Sequence, residues 1–346
     1  MALTAAVHEL TDAEHAAVAE FLARTAGLVF DRSRRPALAG IVAERVLATG
    51  AADLGAYLAR ISSAAGADER QRLLDAVTIP ETHFFRNPPQ MKALRQRLLP
   101  ELMRRAVARG RALTIWSAGC STGEEPYSLA MLALEVADTL PVAPEIRVVA
   151  TDLASSAVAA TARGRYQGRS LSLVEAERRE RWFRLGGDGV HEVVPEVRER
   201  VEARLHNLVS EAPPFGPGEV DLVVCRNVTI YFARETTREL VGRFHSVLAA
   251  GGYLMVGHAE TLWQVTDAFT LVTLGDAFAY RKDMPAVRQP TPAAEPVPAP
   301  RRRRPLPLPK VAPPGSGPQP AQDPVPDPDL ALRHLGLARE AMAQTR

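Results

Sequence analysis

The segment IWSAGCSTGEEPYSLA at residues 115–130 combines two glycines with two adjacent glutamates. An apolar run ends in a loop that contains Gly119 and Gly123, and a helix is predicted to begin directly afterwards. Glycines allow a backbone to approach a ligand closely, and the first turn of a helix presents amides without intrahelical partners. Because Glu124 and Glu125 would repel a pyrophosphate there, the pattern favours a cationic or zwitterionic ligand over a dinucleotide. A plain turn is the alternative for the glycine pair.

Polar side chains also follow two further apolar runs. Asp152 ends the run 146–151, where a carboxylate can accept both ribose hydroxyls of a nucleoside, although an aspartate there can also cap a helix. Asn227 and Tyr231 follow the apolar part of the segment LVVCRNVTIYF at 222–232, with a turn asparagine and a core tyrosine as the alternatives. Since open α/β sheets bind ligands at the carboxyl ends of their strands, these residues predict a crevice for a nucleoside such as S-adenosylmethionine.

Hydrophobic periodicity indicates the elements that would position these residues. Short apolar runs alternate with amphipathic stretches from residue 112 onward, and a last stretch around 269–282 predicts an edge hairpin. The apolar runs are 113–118, 146–151, 220–225 and 252–257, and the amphipathic stretches lie near 125–138, 154–163 and 234–249. This alternation predicts βαβ units and a doubly wound, mostly parallel sheet, which places the chain in the α/β class.

Composition and periodicity divide the chain into five parts. The first is predicted to be all-helical, because Thr11 and Glu14 have capping-box spacing and apolar residues follow at helical intervals. The predicted boundaries are 1–78 for the all-α N-terminal domain, 79–111 for a linker helix, 112–284 for the α/β domain with an insert at about 165–205, 285–328 for a proline-rich linker, and 329–346 for a C-terminal helix. That last helix either docks on a surface or is a repeat fragment, since one short amphipathic helix is marginal alone.

Bulk composition disfavours several classes of protein. Hydrophobic residues make up 46% and charged residues 24%, as in folded globular domains, and the net charge of +2 gives no argument for a nucleic-acid partner. Two distant cysteines, Cys120 and Cys225, are expected to be buried apolar residues and not ligands, so no metal is predicted. Charged residues within 1–20 argue against a signal peptide, and no run of about 18 apolar residues occurs. We therefore expect a cytoplasmic protein without membrane insertion.

In combination, six segments of the chain resemble the chemotaxis receptor glutamate O-methyltransferase (CheR-type) family. The segments are 79–89 (IPETHFFRNPP), 115–130, 151–153 (TDL), 206–208 (HNL), 222–232 and 252–260 (GYLMVGHAE), in the family's order and within roughly 10–284. The resemblance implies a class I methyltransferase-like sheet, an all-α N-terminal domain, a linker helix and a small inserted β-subdomain. It also implies S-adenosylmethionine as cofactor, and methyl transfer to glutamate carboxylates of chemotaxis-type receptors that gives methyl esters.

The same resemblance implies roles for individual residues. The implied cofactor-binding residues are Thr82, Arg86, Gly119, Glu125, Asp152, Asn207, Leu208, Asn227 and Val228. Arg86 and Tyr231 are the implied catalytic residues: Arg86 is expected to orient the receptor carboxylate, and Tyr231 to close the site beside the methyl group. A structural ion pair with Glu81 or Glu124 is the alternative for Arg86. Pro80 stands where the family often has asparagine, so an amide contact is not expected there.

Contacts with partners are expected from three other parts of the chain. The basic face of the N-terminal domain is implied to dock on the cytoplasmic helical region of the receptor, although surface arginines are often only solvated. The expected docking residues are Arg32, Arg34, Arg35 and Arg45. The region 183–206 is shorter around its turn than in relatives that hold a receptor's C-terminal peptide, which favours independence from that peptide. The C-terminal tail is a candidate for binding a further protein.

Three other functions are compatible with parts of the sequence. A catalytically weak scaffold that binds S-adenosylmethionine agrees with the proline-rich linker, but Arg86, Asn227 and Tyr231 favour activity. A nicotinamide dehydrogenase is disfavoured by the glycine spacing and by Glu124 and Glu125. A small-molecule methyltransferase is disfavoured by the helical domain, which resembles a receptor-binding one. No feature of the sequence requires more than a monomer.

Overall fold

The computed structural model describes residues 9–284, so the predicted proline-rich linker (285–328) and C-terminal helix (329–346) lie outside the described residues. Two parts follow one another along the described chain, a helical bundle and a larger α/β domain. Between residues 9 and 284, no helix is long and apolar enough to cross a membrane.

The N-terminal part is a bundle of four helices. They are α1 (Asp12–Ala26), α2 (Arg35–Thr49), α3 (Leu54–Ser62) and α4 (Ala67–Val77). Thr11 begins α1 with both bonds of the predicted capping box, and Asp53 caps α3 by accepting the amide of Ala56 at 2.7 Å. Helix α2 ends at Gly50, whose φ of 66° is the left-handed conformation that glycine adopts without strain. Apolar residues on the inner sides of the four helices form a core of their own.

A linker helix follows the bundle and begins at Asn87, whose side chain accepts the amide of Gln90 at 3.2 Å. It consists of α5 (Pro88–Ala93), a π-helical turn (Leu94–Leu98) and α6 (Leu99–Ala108). The π-helical turn ends two residues before Pro100, which has no amide hydrogen to contribute to the helical ladder. The buried side of the linker helix belongs to the core of the α/β domain.

The α/β domain contains ten strands and five further helices. The strands are β1 (Leu113–Ala118), β2 (Ile146–Asp152), β3 (Arg165–Tyr166), β4 (Phe183–Leu185), β5 (His191–Val193), β6 (Val201–Leu205), β7 (Val220–Cys225), β8 (Leu248–Val256), β9 (Phe269–Leu274) and β10 (Ala277–Lys282). The helices are α7 (Glu124–Ala137), α8 (Ser155–Arg163), α9 (Ala176–Trp182), α10 (Pro195–Arg198) and α11 (Arg234–Val247). Seven strands form one sheet in the order β6-β2-β1-β7-β8-β10-β9, parallel except for β10 and β9. The predicted α/β class with a mostly parallel sheet is confirmed.

The strand order of this sheet reverses at β1. Ile115 of β1 pairs with Val148 of β2 on one side and with Leu222 of β7 on the other. Ile115 packs in the core that contains α7, whereas its neighbour Trp116 packs in the core that contains α11, so the two helices cover opposite faces. A crevice opens at the carboxyl ends of the strands where connections leave in opposite directions in this way.

A second, small sheet has the order β3-β5-β4 and lies within the predicted insert. The predicted end of that insert at 205 is wrong, because Val201–Leu205 forms β6, the parallel edge strand of the main sheet. Charged Glu202 and Arg204 interrupt this strand, and none of its residues is buried. An edge strand of this kind lacks the continuous apolar run by which the central parallel strands were found.

Candidate active site

A crevice opens at the carboxyl ends of β1, β2 and β7, and the helical bundle forms one of its sides. All ten residues that were assigned from the sequence to the cofactor or to catalysis line this crevice. They are Thr82, Arg86, Gly119, Glu125, Asp152, Asn207, Leu208, Asn227, Val228 and Tyr231. The fold therefore brings together side chains from five separate segments of the chain.

The loop after β1 is shaped to lie against a ligand. Gly119 has a φ of 79°, and a Cβ atom at this position would lie 2.4 Å from Cγ2 of Val228, so a larger residue does not fit. The amide of Gly119 donates to the carbonyl of Thr151 at 2.8 Å and fixes the loop beside the end of β2. The Ser121 hydroxyl is buried in the crevice without a hydrogen-bond partner among the described residues. Such a hydroxyl fits a polar ligand such as the predicted nucleoside cofactor.

Asp152 at the end of β2 organises the same loop. Its Oδ2 accepts the amide of Ser121 at 2.8 Å, and its Oδ1 accepts the amide of Ala154 at 2.9 Å. Burial raises the pKa of Asp152 above its usual value, although these hydrogen bonds oppose the shift. Because each carboxylate oxygen has a second lone-pair site, Asp152 can accept ribose hydroxyls while it holds the loop.

Glu125 belongs to a buried charge network. The Ser117 hydroxyl donates to its Oε1 at 2.8 Å, and Nε of Arg226 donates to its Oε2 at 2.7 Å. Nη1 of Arg226 also donates to the carbonyl of Arg86 at 2.6 Å and to Oε1 of Gln90 at 3.1 Å. The Arg226–Glu125 pair therefore joins the end of β7 to α7 and to the segment that carries Arg86.

The sequence interpretation missed two buried charged residues beside the crevice, Arg226 and Glu260. Arg226 is 7% exposed and Glu260 is 5% exposed. The carboxylate of Glu260 accepts the backbone amides of Asn227, Val228 and Thr229. An arginine directly after the apolar run LVVC does signal a buried acidic partner, but nothing in the sequence identifies that partner.

Arg86 presents a guanidinium without a carboxylate partner among residues 9–284. Its Nη1 donates to the carbonyl of Glu81 at 3.4 Å. The carboxylate of Glu81 instead lies 3.7 Å from Nη1 of Arg169, and Glu124 accepts the hydroxyl of Thr122 at 2.7 Å. Neither alternative ion pair of Arg86 is formed, so the guanidinium is available for an incoming carboxylate.

Tyr231 lies where the bundle meets the α/β domain. Its carbonyl accepts the amide of Val29 at 2.8 Å, next to a short antiparallel bridge between Leu28 and Phe232. The Arg34 guanidinium lies 5.5 Å from the centroid of the Tyr231 ring. The N-terminal bundle thus helps to hold the predicted catalytic tyrosine in the crevice wall.

Asn207 also connects the two parts of the molecule. Its Nδ2 donates to the carbonyl of Thr25 in α1 at 2.8 Å, and its Oδ1 accepts the amides of Val209 at 3.0 Å and Ser210 at 3.2 Å. These bonds occupy most of the side-chain amide, and the neighbouring Leu208 is 8% exposed. Asn207 therefore helps to hold the crevice wall in place.

The four arginines predicted to dock on the receptor lie in different environments. Arg45 is engaged inside the bundle, because Glu69 holds it in a two-point ion pair at 2.8 and 2.6 Å, with 17% of its side chain exposed. Arg35 is bonded to Asp12 at 2.6 Å. Arg32 lies 4.0 Å from the same Asp12 carboxylate but is 85% exposed, and Arg34 lines the crevice, so these two are the more accessible members of the set.

Both cysteines are free thiols, and Cys120 lies in the lining of the crevice. Cys120 and Cys225 are buried, and burial raises the pKa of both thiols. A thiol that stays protonated is neither a good nucleophile nor a good metal ligand. In the part of the chain that the structure describes, no cluster of histidine, cysteine and acidic side chains could hold a metal ion.

Comparison with known proteins gives a consistent picture. Residues 13–78 match the family described as "CheR methyltransferase, all-alpha domain", and residues 80–278 match "CheR methyltransferase, SAM binding domain". The chain is 36% identical over 267 residues to "Chemotaxis protein methyltransferase 1" of Pseudomonas aeruginosa, covering 75% of this chain and 94% of that protein. It is 33% identical over 281 residues to "Chemotaxis protein methyltransferase" of Vibrio anguillarum, covering 79% of this chain and 98% of that protein.

Proposed function

The chain belongs to the CheR methyltransferase family, and from that membership we propose that it esterifies glutamate side chains of a chemotaxis-type receptor. It is an S-adenosylmethionine-dependent methyltransferase. One observation carries the proposal for the receptor carboxylate. One crevice is lined by the glycine loop, by Asp152 and by Arg86, whose guanidinium has no carboxylate partner among the described residues.

The residues of the crevice fit the cofactor. Asp152 would accept the ribose hydroxyls, and the loop at Gly119 would allow the backbone to approach the ligand. Ser121, with its unpartnered hydroxyl, and Asn227 and Val228 also line this crevice. When bound, the cofactor supplies a methyl group on a positively charged sulfur.

The protein's own task is to position the nucleophile and control its solvation. A glutamate with a pKa near 4.3 is ionised at neutral pH, so no general base is needed. Arg86 would hold one carboxylate oxygen so that the other faces the methyl group, and Tyr231 would exclude water beside it. Aligning two reactants in this way can lower a barrier by about 7–11 kcal/mol.

A direct test uses methyl-labelled S-adenosylmethionine and membranes that contain chemotaxis receptors. We expect label in the receptor that mild base releases as methanol, because carboxyl methyl esters are base-labile. Replacement of Arg86 by alanine should lower receptor methylation at saturating S-adenosylmethionine about 10²-fold, beyond any loss of S-adenosylhomocysteine affinity, since the carboxylate is no longer aligned. Arg169→Ala, which removes an arginine side chain that is 90% exposed, is the control. Label in small molecules alone, or an unchanged rate in Arg86→Ala, would contradict the proposal.

We further propose that the partner surface is the helical region of the receptor, approached by the exposed Arg32 and by Arg34, which lines the crevice. Independence from a receptor C-terminal peptide is supported by the small β3-β5-β4 sheet. Its two edge strands have two and three residues, which gives a peptide strand few backbone groups to pair with. Adding such a peptide should leave the methylation rate unchanged. Contact of the tail beyond residue 284 with another protein is a separate proposal, supported by its proline and arginine content.

A further inference from the structure

The carboxylate of Glu260 is held by five hydrogen bonds from neutral donors. Its Oε2 accepts the amides of Gly257 at 2.6 Å and Asn227 at 2.7 Å. Its Oε1 accepts the amide of Val228 at 3.2 Å, and both the amide and the hydroxyl of Thr229 at 2.9 and 2.6 Å. Four converging backbone amides form a concave anion-binding site, and here the protein fills that site with its own side chain.

The chain is built to bring Glu260 into this place. The residue follows β8 in a tight turn in which its amide donates to the carbonyl of Gly257 at 2.9 Å. A Cβ atom on Gly257 would lie 2.5 Å from Oε2 of Glu260, so the glycine leaves the space that the carboxylate occupies. The turn after β8 is thereby fastened to the loop after the neighbouring strand β7.

The fastened loop carries one wall of the active site. Asn227 and Val228 line the crevice, and the 3-10 turn Thr229–Tyr231 continues directly into the catalytic tyrosine. Asn227 has a φ of 59°, a left-handed conformation that costs a residue with a side chain about 1–3 kcal/mol unless its surroundings impose it. Val228 must also keep its place, because its side chain lies against Gly119.

We infer that Glu260 is a positioning residue for methyl transfer, which fixes the loop from Asn227 to Tyr231 against the cofactor and the incoming carboxylate. This inference rests on the proposed function. Glu260 itself is 5% exposed and does not line the crevice, so it acts through the loop and not on the substrate. Its effect on the reaction should therefore exceed its effect on folding.

The test is Glu260→Gln, which keeps the shape of the side chain but replaces one acceptor oxygen by a donor. That donor would face backbone amides, so the loop should shift. We expect the affinity for S-adenosylhomocysteine, measured by calorimetry, to fall about tenfold or more. A wall displaced by about 1 Å should lower kcat about 10²-fold. The calorimetric comparison needs no receptor. If the wild-type protein binds S-adenosylhomocysteine but methylates no receptor, the proposed function is refuted. The effect of Glu260→Gln on affinity can still be measured in that case.

The matched control is Glu135→Gln. Glu135 is another buried carboxylate, bonded to Arg178 at 2.8 and 2.9 Å, and it lies outside the crevice. Its replacement should reduce stability but leave affinity and kcat at wild-type values. Wild-type affinity and kcat in Glu260→Gln, or equal losses in both variants, would overturn the inference. If Glu260→Gln does not fold, Thr229→Val decides: it removes one donor and should lower kcat several-fold, and an unchanged kcat would overturn the inference.

Discussion

The Arg226 guanidinium has three acceptors at once, which makes it the residue on which both stability and site geometry depend. Replacing Arg226 by methionine leaves the Glu125 carboxylate buried without its cation. We expect a loss of about 3–5 kcal/mol in the free energy of unfolding, the usual cost of breaking a buried pair on one side. Urea unfolding followed by circular dichroism measures this loss.

A double-mutant cycle with Glu125→Gln provides the control. Removing the charge from the remaining partner should restore part of the lost stability, because no uncompensated carboxylate is then buried. Receptor methylation should stay low in both variants, since the carbonyl of Arg86 has still lost its donor. If Arg226→Met lowers the free energy of unfolding by less than about 1 kcal/mol, the Arg226–Glu125 pair does not stabilise the fold.

At the scale of residues, the sequence predicted which groups meet but not what holds them. Glycine spacing, strand-end polar residues and the family resemblance were enough to select ten residues of one crevice. The hydrogen bonds of Arg226 and Glu260 were not predictable, because they join residues 101 and 33 positions apart whose side-chain directions depend on the folded sheet. Asn207 was assigned to the cofactor alone, although most of its amide binds backbone groups.

At the scale of elements, the central strands were predictable and the edges were not. Strands β1, β2 and β7 are nearly continuous apolar runs, because parallel strands are covered on both faces. The edge strand β6 has no buried residue and was placed in the insert. The environment of Arg45 was likewise not predictable. A sequence pattern does not distinguish an arginine on an exposed helix face from one that enters an interface between helices.

Arg45 joins three helices of the bundle through Glu69. Glu69 in α4 accepts both bonds of Arg45 from α2 and the hydroxyl of Tyr57 from α3 at 3.1 Å. Arg45→Ala should therefore destabilise the protein by about 3–5 kcal/mol. Arg72→Ala, which removes an arginine side chain that is 69% exposed and 3.9 Å from the same carboxylate, should cost less than about 1 kcal/mol. If Arg45→Ala unfolds like the wild type but methylates the receptor poorly, Arg45 acts in docking and not in the stability of the bundle.

Acid should weaken the contacts of Glu69 with Arg45 and Tyr57. Burial alone would raise the pKa of Glu69, but hydrogen bonds from Arg45 and Tyr57 and the nearby charges of Arg45 and Arg72 together lower the pKa. Because the folded pKa lies below the unfolded value of about 4.3, this stabilisation is present above that pH and is lost as the pH falls through the folded value. Urea curves from pH 7 to pH 3 should show the stability difference between the wild type and Glu69→Gln shrinking on acidification.

At the scale of the whole molecule, the bundle and the α/β domain make one crevice between them. Contacts such as that of Thr25 with Asn207, 182 positions apart, could not be predicted from periodicity, which reports only local structure. Arg34 of the bundle lines this crevice, and Arg32, two residues before it, is exposed. Since the net charge is only +2, attraction to an acidic receptor surface must come from local groups of this kind.

Arg32→Glu tests that attraction. Arg32 is 85% exposed, so we expect a receptor KM raised about fivefold, a change of about 1 kcal/mol, with S-adenosylhomocysteine affinity and the rate at saturating receptor unchanged. The difference from wild type should shrink as salt is added, because the screening length is about 8 Å at physiological ionic strength and shorter above it. Arg97→Glu makes the same charge change on the exposed side of the linker helix and should leave the receptor KM unaltered. Equal KM values for the two variants would mean that net charge, and not a docking surface on the bundle, sets the encounter with the receptor.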